Sequence, residues 1–148
     1  MNSEATVFSR NQRIIFAEPL TTPAAESLLQ EFIGAIGRAL SRNEVILGHI
    51  KVLAKLSDSV PEQFLFLSHT RLTQVDITPS KYWPNDEEAG VSNMELCVNV
   101  LVFGYTMNQV EQVVAEALHE LGGRVYPRRG RSGQLAGGRK RGLQPVKQ

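Results

Sequence analysis

Residues 45–77 read VILGHIKVLAKLSDSVPEQFLFLSHTRLTQVDI, and the way this stretch pairs with itself decides the fold. Two strand-like runs, Val45 to Leu56 and Phe64 to Ile77, flank Ser57-Asp58-Ser59-Val60-Pro61-Glu62, a turn by composition. They predict a β-hairpin. With the turn centred near Ser59, Ile50 faces Ser68, Val52 faces Phe66 and Ala54 faces Phe64 on an apolar side. The other side then pairs His49 with His69, Lys51 with Leu67, Leu53 with Leu65 and Leu47 with Arg71, a mixed basic and apolar surface. Side chains alternate along a strand, so a slip of one residue would turn them to the other face.

Upstream, residues 1–11 are polar and read as a loose N-terminus, followed by a short strand Arg13-Ile14-Ile15-Phe16-Ala17 that stops at Glu18-Pro19. Thr22-Pro23 gives a helix start, hydroxyl cap then proline, and Leu28, Leu29, Phe32, Ile36, Ala39 and Leu40 recur on one face to about Ser41. Gly34 and Gly37 lower helix propensity and mark either a close backbone neighbour or glycines tolerated at the surface. Downstream, Pro79, Pro84, Gly90 and Asp86-Glu87-Glu88 make residues 78–92 a long loop. Met94 to Tyr105 forms a strand with Met94, Leu96, Val98, Val100 and Val102 on its core side. Thr106 with Gln109 is a capping box, opening a helix with Met107, Val110, Val114, Ala117, Leu118 and Leu121 on its stripe. Gly122-Gly123 ends it, and Arg124-Val125-Tyr126 adds a short edge strand.

The expected fold is α+β: a two-layer sandwich, a mostly antiparallel sheet of three to five strands with two helices on one face, a ferredoxin-like variant. The domain spans 12–126, and 127–148 is a disordered cationic tail. From Pro127 onward there are seven basic residues, Arg128, Arg129, Arg131, Arg139, Lys140, Arg141 and Lys147, and no acid. The other 126 residues hold nine basic and fifteen acidic ones, a body of −6 joined to a tail of +7. Such a tail is suited to a polyanion, nucleic acid or an acidic protein, through phosphate or carboxylate contacts. It has no aromatic residue for base stacking.

The one cysteine, Cys97, cannot form an internal disulfide, and no run approaches the ~20 apolar residues of a membrane span, so a cytoplasmic protein is expected. Phosphate-loop, G-x-S-x-G, H-E-x-x-H and C-x-x-C patterns are absent from the sequence. His49 and His69 across the hairpin, with Cys97 and Asn99 nearby, offer nitrogen and sulfur ligands of the kind zinc takes, but the spacing assures no third ligand. The expectation is therefore no catalytic residue, metal or cofactor. His119 reads as a helix C-terminal cation. The sheet face bearing Lys51, Leu53, Lys55, Leu65, Leu67 and Arg71 leaves apolar area to be covered, by a second copy of the chain, by a partner or by the chain's own long loop. Trp83 in the 78–92 loop is either a further anchor for that interface or the plug that pins the loop to the body. The reading is a non-enzymatic accessory or adaptor protein that self-associates or docks a partner through this face and loop, its tail on a polyanion. One alternative is a small-molecule-binding or catalytic domain using His49, His69 and Cys97; the other is a nucleic-acid-associated module.

Overall fold

Alternation of Met94, Leu96, Val98, Val100 and Val102 puts five apolar side chains on one side of a single strand, β7 (Val91–Phe103), and all five are buried. In the computed structural model, which describes residues 4–56, 63–84, 90–121 and 125–127, β7 lies between β1 (Ala5–Leu20) and β4 (Gly48–Lys55). Beyond β4 come β5 (Phe64–Arg71) and β6 (Gln74–Pro79), and beyond β1 comes β8 (Val125–Pro127). The sheet order is β6-β5-β4-β7-β1-β8, with every neighbouring pair antiparallel. β1 and β4 therefore run in the same direction with β7 between them, and helix α1 (Thr22–Ala39) carries the chain across. Helix α2 (Met107–Leu121) links β7 to β8 past β1 in the same manner. The fold is α+β, with the core between the helices and one side of the sheet.

Several elements differ from expectation. β1 begins at Ala5, inside the stretch expected to be loose, because β7 supplies a continuous antiparallel partner from Ala5 to Ile15. The α1 cap is Thr21, whose Oγ1 accepts from the Ala24 N–H at 3.2 Å, so Thr22 and Pro23 lie within the first turn. The run from Val45 holds a separate small hairpin, β2 (Ser41–Arg42) with β3 (Val45–Ile46), turned by Asn43 and Glu44 at φ 52° and 66°. Gly48 then starts β4, where a Cβ would lie 1.9 Å from the Leu101 carbonyl oxygen; only glycine lets the two strands approach there. The capping box is as expected: Thr106 Oγ1 accepts from the Gln109 N–H, and Gln109 Oε1 from the Thr106 N–H. Met107, expected in the core stripe, is exposed on the first turn. β8 is the expected short edge strand.

The hairpin register is one residue away from the expected one. Ile50 faces His69, Val52 faces Leu67 and Ala54 faces Leu65, anchored by Leu56 N–H donating to the Gln63 carbonyl. β4 keeps the faces assigned to it, whereas β5 is turned over. Phe64-Leu65-Phe66-Leu67 is apolar on both sides, so alternation does not select the register and packing does. Leu65, Leu67 and His69 enter the core and Phe64 and Phe66 look outward. The notch that receives His69 is Gly37 of α1, where a Cβ would stand 2.2 Å from His69 Cδ2. The glycine thus accommodates a side chain; the expected close backbone is not what it meets. The second run also breaks at Leu72-Thr73, where the chain turns into β6, itself paired with β5.

Candidate functional site

The helices cover one side of the sheet, and the other is open among the described residues. The odd-numbered residues of β1, β4 and β7 and the even-numbered ones of β5 project from it, in rows fixed by the ladders. In one row Lys55 stands between Phe64 and Glu95, and Glu95 meets Arg13 at 3.5 Å. Next comes Phe66, Leu53, Cys97 and Asn11, with Cys97 Sγ donating to Asn11 Oδ1 at 2.8 Å. A polar row follows: Ser68, Lys51, Asn99 and Ser9, with Ser9 Oγ donating to Asn99 Oδ1 at 2.9 Å. The next row holds His49, Leu101 and Val7, and beyond it lie Phe103 and Ala5. Val7 is 61% exposed and Phe103 40%, while Leu53, Phe64, Phe66 and Leu101 are half-buried only by their neighbours. Apolar rows thus alternate with polar ones, and nothing on the helical side reaches them.

Of the residues singled out from the sequence, Leu53 and Lys51 lie on this face, and Arg71 is exposed at the end of β5. Leu65 and Leu67 do not: both are fully buried under the helices by the turned-over register. Trp83 is also interior, 7% exposed, its Nε1 donating to Glu26 Oε2 of α1 at 2.8 Å. It pins the segment after β6 to the helix and leaves no anchor for a partner. Arg128, Arg129, Arg131, Arg139, Lys140 and Arg141, expected to contact a polyanion, lie outside the described residues.

The expected histidine pair is not formed. His69 sits opposite Ile50 on the core side and His49 opposite Leu101 on the open side. His69 is 1% exposed; its Nδ1 lies 2.9 Å from the Gln74 carbonyl oxygen, which can only accept, so Nδ1 carries the proton. Its Nε2 and the Nδ1 of His49 are buried without hydrogen-bond partners, on opposite sides of the sheet. With Cys97 two strands from His69 and bonded to Asn11, the three candidate ligands share no site. Among the described residues no three His, Cys, Asp or Glu side chains are placed to hold a metal ion. No described helix is long and apolar enough to cross a membrane.

The sequence reading missed Phe64, Phe66, Val7 and Asn11 on the open face. Thr6-Val7-Phe8, β-branched and aromatic, carried a strand signal that the polar residues around it obscured. Set against protein-family models, curated proteins and solved structures, the chain matches none.

Proposed function

We propose that this chain is a non-enzymatic docking module: its open sheet face receives a protein partner, while its cationic C-terminal segment contacts a polyanion. One observation carries the reading. Two helices cover one side of the sheet, and the side left over presents Leu53, Phe66, Leu101, Val7 and Phe103 to solvent. Apolar rows repeated across one face exceed the singly scattered apolar residues of an ordinary surface and suit a partner that brings apolar side chains at a matching spacing. Lys51 between the apolar rows and the Glu95–Arg13 pair beside them would orient it, because charges fix register more than they add affinity. The frame is read as ferredoxin-like with β5 and β6 as an inserted hairpin, and the cytoplasm as its compartment. Separation of His49, His69 and Cys97 removes the support for the catalytic alternative.

Leu53→Glu tests the face. The substitution places a charge on a half-exposed position, so melting should change little, whereas Leu67→Glu buries a charge and should cost on the order of 4 kcal/mol, a large share of a domain's roughly 5–15 kcal/mol. Proteins captured by the full chain should be lost with Leu53→Glu and with Phe66→Glu, both still folded. Equal capture by these variants and the wild type would remove the open face from the proposal.

A further inference from the structure

We propose that the outer edge of β1, from Ala5 to Arg13, pairs with the same edge of a second copy of this chain across a two-fold axis. β7 pairs with β1 without interruption from Ala5 to Ile15, but on the other side β8 covers only Ile14 to Phe16. Among the described residues no strand lies against the remaining nine positions of that edge.

The ladder itself identifies the groups that face outward. Phe103 N–H donates to the Leu47 carbonyl, so Phe103 aims its peptide groups away from β1. Residues in an antiparallel sheet alternate between neighbours in this respect. Phe103 stands opposite Ala5 and Val102 opposite Thr6, so the even residues of β1 bond β7. Ala5, Val7, Ser9, Asn11 and Arg13 therefore aim both N–H and C=O outward. Ile15, the next odd residue, is the one opposite Tyr126 of β8.

Proteins blunt exposed edges with short strands, prolines and bulges. The opposite edge of this sheet is blunted in that way: β6 has six residues, ends at Pro79 and shifts register against β5 between Ser68 and Arg71. The β1 edge has no proline from Ala5 to Arg13 and no register shift there. Its two charges are turned to the chain's own groups, Arg10 to Gln12 and Arg13 to Asn93 and Glu95.

A second copy fits the bounds of this edge. Antiparallel pairing about Ser9 sets Ser9 opposite the partner's Ser9, Val7 opposite the partner's Asn11 and Ala5 opposite the partner's Arg13. Every outward residue then meets an outward residue. The ladder ends where β1 begins and where β8 takes over, so the partner strand fills the space left beside β8. No charge meets its like, since Arg10 falls opposite the partner's Phe8. The chain's own continuation past Pro127 is the competing occupant, and charge disfavours it. Extending the β1–β8 register would set Arg128 opposite Arg13 and Arg131 opposite Arg10, and like charges directly opposed destabilise a ladder.

The test is sedimentation of the full chain and of Ser9→Pro across a dilution series. Ser9 does not use its N–H against β7, so proline there spares the intramolecular ladder and removes both central bonds of the intermolecular one. The wild type should sediment as a dimer and Ser9→Pro as a monomer with an unchanged circular dichroism spectrum. Amide exchange in the wild type gives a second readout that needs no variant: Val7, Ser9 and Asn11 should slow as the chain is concentrated, while Phe8, Arg10 and Gln12 stay protected throughout. A wild type that is monomeric at all concentrations overturns the proposal, as does a dimer untouched by Ser9→Pro. A monomer that dimerises only after removal of residues 128–148 also overturns it, by showing the chain's own tail on the edge. Leu53→Glu should leave the dimer intact, which separates this edge from docking on the open face.

Discussion

His69 shows how one residue's surroundings change its meaning. Its ring lies in the core against the backbone of Gly37, with Nδ1–H given to the Gln74 carbonyl and Ile46 closing the same notch. The side chain is a packing element, and its tight contact predicts a change of sign. Gly37→Ala in the wild type places a methyl group 2.2 Å from His69 Cδ2, and overpacking of this kind costs about 1–3 kcal/mol. Removing the ring first, with His69→Ala, destabilises the protein but opens the space. In that background Gly37→Ala should be neutral or stabilising by up to ~1 kcal/mol, the helix-propensity gain of alanine over glycine. Thermal unfolding of the four proteins in this cycle reads the coupling directly. If Gly37→Ala costs the same in both backgrounds, His69 does not fill the notch.

At the scale of elements, the start of α1 carries a prediction of opposite signs at adjacent positions. Thr21 Oγ1 accepts the Ala24 N–H, so Thr21→Val should cost about 1 kcal/mol. Thr22 Oγ1 is buried with no hydrogen-bond partner, so Thr22→Val, equal in shape, should stabilise by roughly 1 kcal/mol. Denaturant midpoints of the two variants should move in opposite directions; if Thr22→Val is the damaging one, the cap is at Thr22 after all. The sequence placed this helix but not its cap, because Thr21 and Thr22 are both good caps and Pro23 is compatible with either. β7 and α2 were legible because Met94 to Val102 alternate cleanly and Val110, Val114, Ala117 and Leu121 keep one helical stripe. β5 was not, since Phe64 to Leu67 offers an apolar side chain to both faces and the choice depends on Gly37, distant in sequence. β1 was half legible: Ser9-Arg10-Asn11-Gln12 has no apolar side to show, and its strand state comes from pairing with β7. For the same reason Lys51 and Leu53 were assigned to the open face correctly, while Leu65 and Leu67 were exchanged for Phe64 and Phe66.

For the whole molecule, the distribution of charge matters more than its near-neutral sum. α1 carries Glu26 and Glu31 against Arg38, and α2 carries Glu111, Glu116 and Glu120 with neither Lys nor Arg. The strands of the large sheet hold Arg10, Arg13, Lys51, Lys55 and Arg71 against Glu18, Asp76 and Glu95. Between these two layers the helices are net acidic and the strands net basic, so the sheet strands add no net negative charge against a polyanion. Seven cations and no anions follow β8, and every residue of the core cluster among the described residues precedes them. Removing residues 128–148 should leave the melting temperature nearly unchanged and abolish binding to duplex DNA or heparin, so that folding and polyanion binding separate. In the intact chain the slope of log affinity against log salt on duplex DNA should be no steeper than about −6, at ~0.9 per neutralised phosphate for seven cations. A truncated chain that binds with the same slope would move the footprint to Arg13, Lys51 and Lys55 on the sheet. A truncated chain that melts much earlier would make the C-terminal segment part of the fold.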